Sequence, residues 1–379
     1  MKGFDKADAK GLLVDSVRIY SPTGREGTVS RFFIYEMKRH GFRRVRSDAA
    51  GNAIGEAGKG KLRVLLCGHM DTVPGKIPVQ LKNGRLSGRG SVDAKSPLCA
   101  MLIAASRYRD DPVLHLTVAC ATAEEGDSRG ILTLMKAGQN YRFAIFGEPG
   151  GAGRVTVGYR GRTALRVSLL TEGGHAGASW AHQNAYHVAS ELIGQLGEYE
   201  RKHSRDDDHY HSVSVSPTLF EAGDYQNVIP ARAMFTCDVR IPIQSKCTSV
   251  ERDLGKVITA FAAAKGVGVK YNFEESTDPY EIPMSSLLVR AFQRSVLLRI
   301  GSRPLLLKKT GTGDMNTFAL AKQAECVTYG PGEANLSHTK NESVRIDDYL
   351  QSIEVLEEAL AQLKLLSGPE PTSSGGSEV

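Results

Sequence analysis

The sequence predicts an α/β protein built on a mostly parallel sheet, with an α+β domain inserted into it. Three observations carry this. Short apolar β-type runs alternate with helical periodicity up to about residue 157, the segment 158–274 then reads β-α-β-β-α-β, and the α/β alternation resumes from 275. The 379 residues fit two or three domains of about 150 each. The expected organisation is a discontinuous first domain, 1–157 with 275–367, and an inserted domain, 158–274. The tail 368–379 is rich in Pro, Gly and Ser, lacks periodicity and is expected to be disordered.

Amphipathic helices are expected at 5–20 and 26–40, separated by Ser21-Pro22-Thr23-Gly24, whose Pro and Gly break a helix. β-type runs follow at Arg63–Cys67, Leu114–Ala121 and Arg142–Phe146, with helices at 94–107 and 128–137 between them. In the insert, alternating strands at 163–171 and 211–221 flank a helix at 181–203. A strand at 233–241 then leads to a helix at 247–264 and a last strand at 267–273. The final helix, 345–366, sets Ile346, Leu350, Ile353, Leu356, Leu360 and Leu363 at helical spacing.

Composition narrows the function classes. Hydrophobic residues at 41%, charged residues at 24% and 40 glycines suit a loop-rich globular enzyme and exclude a collagenous or low-complexity chain. The net charge of +6 mildly favours anionic partners, but the basic residues are scattered, so nucleic acid is not the expected partner. The six cysteines form no CxxC pair; Cys67 and Cys120 stand in apolar runs and read as core residues. The first residues lack the apolar stretch of a signal peptide and no run is long enough to span a bilayer, so a soluble cytoplasmic protein with no membrane partner is expected.

Polar clusters sit where the predicted strands end. Gly68-His69-Met70-Asp71 follows one apolar run, and Asp71 can accept a hydrogen bond from the imidazole nitrogen of His69 that does not face a metal. Taken alone, that pair reads as a loop histidine with a neighbouring acid. Gly88-Arg89-Gly90-Ser91-Val92-Asp93 feeds a helix, where Asp93 is either an N-cap or a bridging carboxylate. Thr122-Ala123-Glu124-Glu125-Gly126 places two carboxylates side by side after a strand, and their repulsion is relieved by a cation. Glu148 follows a further run, and Ser337-His338-Thr339 precedes the last helix. Together His69, Asp93, Glu125, Glu148 and His338 make a mixed nitrogen and oxygen donor set suited to two zinc or cobalt ions, with Glu124 left over as a general base. Spacing alone does not order the adjacent glutamates.

With these five motifs in their order, the chain resembles the M20 family of di-zinc aminoacylases and exopeptidases over nearly all of residues 5–366. The resemblance implies His69 and Glu148 on one zinc, Glu125 and His338 on the other, Asp93 bridging, Asp71 behind His69, and Glu124 as the acid/base. It also implies a homodimer formed through the insert, with His175 of Gly173-Gly174-His175 stabilising the oxyanion in the partner's site. Arg160, Asn227, Arg240 and Thr312 match positions that hold substrate polar groups. The stretches GHMDTVPGKIPV, GRGSVDAKSPL and VGYRGR are most similar to the branch that frees lysine or ornithine from an acidic amino-group carrier protein. Acetylornithine deacetylase, succinyl-diaminopimelate desuccinylase and a catalytically dead conjugate-binding protein are the alternatives. Ser96, where that branch usually has glycine, and EEGDSRG depart from its pattern without touching a ligand position.

Overall fold

The computed structural model describes residues 4–368, so the expected disordered tail lies outside the described residues apart from Gly368. The chain forms two compact units: one of residues up to 157 with 282–307 and those from 318 on, the other of 158–281 with 308–317. The strand expected to end near 273 runs as Gly268–Thr277, so the second unit extends past 274.

In the first unit, four parallel strands form the centre of the sheet, in the order Leu114–Ala121, Leu62–His69, Phe143–Gly147, Glu325–Thr328. Arg43–Ser47 and Ala53–Ala57 continue it antiparallel on one side, and Thr328 pairs antiparallel with Thr156 on the other. The central runs are continuous Val, Leu, Ile and Ala because the sheet is covered on both faces. Helix Lys95–Ser106 is buried from Lys95 to Ala105 and packs against the C-terminal helix Ile346–Leu366. In that helix Ile346, Ile353, Leu356, Leu360 and Leu363 are buried, but Leu350 is only half-buried and Tyr349 takes the seam, its hydroxyl donating to the Ala9 carbonyl at 2.9 Å. All six cysteines are buried and free.

The register of the parallel strands positions the chemistry. His69 lies beside Ala121, and Gly68 beside Gly147, so the loops carrying Asp71, Glu124 and Glu148 leave the sheet at one level. The first inter-helix turn is stitched to the same edge: Thr72 N–H donates to the Ser21 carbonyl at 2.9 Å, and the Ser21 hydroxyl donates to the Met70 carbonyl at 2.7 Å. Gly90 has φ +84°, and a Cβ there would stand 2.8 Å from Thr72 Cγ2, so this turn requires glycine on both counts.

The second unit is a four-stranded antiparallel sheet in the order Ser214–Ala222, Arg232–Ile241, Gly161–Leu170, Gly268–Thr277. Helices Ala185–His203 and Cys247–Lys265 complete the β-α-β-β-α-β order. Leu165, Val167, Leu169, Phe235, Val239 and Leu254 are among the residues of its core. Asn184 caps the first helix, accepting from Tyr186 N–H at 2.9 Å, and Gly266 ends the second at φ +63°.

Buried Asn52 joins three loops of the first unit. Its amide donates to Asp48 Oδ2 at 2.7 Å and the Gly130 carbonyl at 2.9 Å, and its Oδ1 accepts from Thr122 N–H at 2.9 Å. Asn52→Leu keeps the volume but strands a buried N–H and a buried carbonyl, so a loss of about 2–4 kcal/mol is expected. Denaturant unfolding measures it, and an unchanged midpoint at unchanged m-value would contradict the assignment.

Candidate metal centre

Two groups of side chains converge in the first unit. His69, Asp93 and Glu148 form one and Asp93, Glu125 and His338 the other, with potential ligand atoms within 4.8 Å of one another in each group. Asp93 belongs to both: its Oδ1 is 3.1 Å from His69 Nε2 and its Oδ2 is 3.3 Å from His338 Nε2. His69 Nε2 stands 4.0 Å from Glu148 Oε1, and His338 Nε2 stands 2.7 Å from Glu125 Oε1. Two imidazole nitrogens and three carboxylates, one able to bridge, are a donor set that fits a pair of zinc-like ions.

Each candidate ligand is held by its element. His69 ends a central strand, buried, with Nε2 toward Asp93 and Nδ1 3.0 Å from the Asp71 main-chain oxygen and 3.5 Å from Asp71 Oδ1. The fully buried Asp71 carboxylate does more than orient this histidine. It accepts from Glu124 N–H at 3.1 Å, Glu125 N–H at 3.2 Å and the Thr23 hydroxyl at 2.8 Å. One acid thus fixes the loop bearing both glutamates, where Ala123 takes φ +56°. Asp93 does not cap the following helix, whose N-cap is Ala94 with no side-chain bond. His338 follows the 3-10 turn Ala334–Leu336 with φ +62°, an uncommon backbone for a residue with a side chain.

Five carboxylates (Asp71, Asp93, Glu124, Glu125 and Glu148) crowd two imidazoles, and the proton affinities show the strain of that charge. Burial opposes protonation of His69, but hydrogen bonds to Asp71 and Asp93 outweigh it and raise its pKa well above the ordinary value. His338 is pushed up to about 9, first by its bond to Asp93 and then, against burial, by Glu125. Burial raises Glu124 to about 7, with His69 opposing and Asp93, Glu125 and Asp71 adding. Glu125 is raised, by burial first and Asp93 next. A divalent cation relieves this excess by displacing protons.

The sequence reading missed the supports behind this shell. Lys95 is fully buried and donates to the Ser16 and Ile19 carbonyls at 3.0 and 2.5 Å; burial lowers it to about 8, with Cys99, Glu342 and Asp71 opposing. Arg89 and Glu342 form a buried ion pair at 2.7 Å, and Glu342 also accepts from the Val92 and Asp93 N–H groups. The charged residues of a Gly-rich turn and a polar loop give no local signal that they meet.

In the second unit the remaining candidates fall into two clusters. Arg240 Nη1 donates to Thr312 Oγ1 at 3.3 Å, Thr312 donates to the Arg160 main-chain oxygen at 2.7 Å, and Asp238 holds Arg240 Nε at 2.6 Å. Arg160 donates from Nε to the Thr310 carbonyl and from Nη1 to the Ser212 carbonyl and the Ser214 hydroxyl. His175 is exposed on the short strand Gly174–His175, paired with Val228–Ile229, and Ala176 N–H donates to the Asn227 carbonyl at 2.9 Å. His175 Nδ1 accepts from Gly177 N–H at 3.0 Å, which leaves Nε2 to donate. Asp314 opens the helix Asp314–Lys322 from within its first turn.

The fold and this cluster define a metallohydrolase class, and the model of peptidase family M20/M25/M40 matches residues 65–362. The chain belongs to that family, whose members hydrolyse amide bonds, and membership implies that it binds metal. It is 31% identical over 365 residues to the LysW-lysine/LysW-ornithine hydrolase of Sulfurisphaera tokodaii, covering 96% of this chain and 98% of that protein. It is 32% identical to the LysW-lysine hydrolase of Deinococcus radiodurans, covering 95% and 98%. Among solved structures, aminopeptidase PepT of Bacillus cereus superposes with a TM-score of 0.81 at 17% identity, covering 95% of this chain and 99% of that one. The M20 metallo-carboxypeptidase Sso-CP2 of Sulfolobus solfataricus gives 0.77 at 17%, covering 94% and 99%. These low identities speak for the fold alone.

The sharing of Asp93 has a measurable consequence. If the two groups each hold a zinc ion, Asp93→Ala should abolish tight binding of both, whereas His338→Ala and Glu148→Ala should each cost about one of two. Elemental analysis of the dialysed proteins decides it, and an Asp93→Ala protein that keeps one tightly held ion would contradict a shared ligand.

Proposed function

We propose that this chain is a di-zinc hydrolase that releases L-lysine, L-ornithine or both from an acidic amino-group carrier protein. The observation that carries the chemistry is the position of Asp93 between two histidines, with Glu124 beside the cluster. The substrate follows from the names of relatives that match over nearly the whole chain. His69 and Glu148 would hold one ion, Glu125 and His338 the other, and Asp93 both; cobalt would suit the same donors. When bound, the ions supply Lewis acidity to the scissile carbonyl and the attacking water.

The chain's own residues do the proton work. Glu124, buried beside the cluster, would take a proton from water and return it to the leaving amine. Arg240, held by Asp238 and bonded to Thr312, offers a planar fork to a substrate carboxylate, with Asn227 as a further polar contact. Arg160 supports this cluster through its main-chain oxygen, which accepts from Thr312 and from the Asn316 amide.

The homodimer is part of the proposal. The insert exposes Leu170, Trp180, Leu219, Phe220, Tyr225 and Tyr271, apolar area that a second copy would cover. His175 of one subunit would then donate from Nε2 to the oxyanion in the other's site. Glu124→Gln should lower kcat at least about 10²-fold with metal retained, and His175→Ala should also be nearly inactive. Mixed in one solution with subunit exchange verified, the two proteins should recover activity in hybrid dimers. Absence of recovery would rule out a shared site.

The substrate assignment is tested by kinetics. Acidic carriers would be steered by the net charge of +6, an attraction screened beyond about 8 Å at physiological salt. kcat/KM for carrier-bound lysine should exceed that for N-acetyl-lysine, with an advantage that shrinks as salt rises. Equal efficiency at low salt would instead identify a small-molecule deacylase.

A further inference from the structure

A buried ion pair joins the two loops that bring Asp93 and His338 together. Glu342, 1% exposed, accepts from Val92 N–H at 3.0 Å and Asp93 N–H at 3.2 Å with Oε1, and from Arg89 Nη1 at 2.7 Å with Oε2. Arg89, 8% exposed, also donates from Nη1 to the Thr339 carbonyl at 3.2 Å and from Nε to the Gly75 carbonyl at 3.0 Å. The Glu342 main-chain oxygen accepts from Gly88 N–H at 3.3 Å. The residue following His338 and the main-chain N–H of Asp93 are therefore gripped by one carboxylate and one guanidinium.

The two histidines depend on this grip unequally. His69 ends a strand paired on both sides in the sheet, so its place is set by the ladder. His338 sits in a loop with left-handed backbone, and the Arg89–Glu342 pair reaches that loop within one residue of it. We infer that Glu342, clamped by Arg89, is a positioning residue that sets the separation of Asp93 and His338 and so governs metal affinity at the His338, Glu125 and Asp93 group, with little effect on the group containing His69. The inference rests on the di-metal reading proposed above. Residues that orient ligands from behind contribute about 10–100-fold to metal affinity when removed.

The experiment is zinc titration of the stripped full-length protein against a chromophoric chelator, with Glu342→Gln introduced into two backgrounds. Glu148→Ala weakens the His69 group and reports on the His338 group; His338→Ala does the converse. Glu342→Gln can still accept from Val92 and Asp93 N–H but loses the charge facing Arg89. It should weaken zinc at least about tenfold in the Glu148→Ala background and less than about twofold in the His338→Ala background. Arg89→Gln, which opens the clamp from its other side, should reproduce the difference and decides the matter if Glu342→Gln does not fold. Equal losses in both backgrounds would mean a general structural role and overturn the inference, as would no loss in either. A wild-type protein that takes up no zinc would overturn the di-metal reading itself, and the inference with it.

Discussion

The parallel register of the central strands is the constraint on which the rest of the structure depends. Because His69 aligns with Ala121 and Gly68 with Gly147, three strands end at one level and deliver three acid-bearing loops to one place. Parallel sheets concentrate ligand chemistry at their carboxyl edge because every connection must leave there before crossing back. What is unusual is the amount of negative charge collected. Five carboxylates share the space around two imidazoles, a state tolerable only with protons or cations among them. The buried supports then read as a response to that charge: Asp71 spends its oxygens on N–H and O–H donors, and Glu342 spends its own on two N–H groups and Arg89.

Much of this was legible from sequence for physical reasons. A strand buried on both faces must be a continuous apolar run, so Leu114–Ala121 was readable to the residue, and the polar residues after it stood out as a loop at the sheet edge. His69, Glu125 and Glu148 were visible in this way. The insert was visible because alternation with one polar face differs from a buried parallel run, as Arg232–Ile241 shows with its strict alternation of buried positions. The family resemblance then ordered the two adjacent glutamates, which spacing could not.

What stayed hidden shares one property: its meaning lies in contacts distant along the chain. Arg89 and Glu342 are 253 residues apart, and each alone reads as a charge in a polar loop. Asn52 lies in a turn whose composition predicts only a turn, yet its amide reaches Gly130, 78 residues away. Asp93 had a local alternative as a helix cap, and local rules could not show that the cap position would fall to Ala94. Tyr349 displaced Leu350 from the seam of the last helix because its hydroxyl finds the Ala9 carbonyl, a partner that hydrophobic periodicity does not count.

The charge distribution of the whole chain bears on how such a site is approached. The protein carries a net charge of +6 even though five carboxylates meet in this one cluster, so the excess of positive charge outside it is larger than the net figure. These two fields act at different ranges. The part-buried cluster would be neutralised by bound cations and, once neutralised, would project little field beyond its own walls. The surface charge acts out to about a Debye length and biases the encounter with a large anionic body. Small acyl amino acids, with one or two charges, gain little from such a field, whereas a folded acidic partner feels it over many groups at once. Under the proposed function, this positive excess would discriminate by partner size and so separate recognition of an acidic carrier from cleavage of the bond.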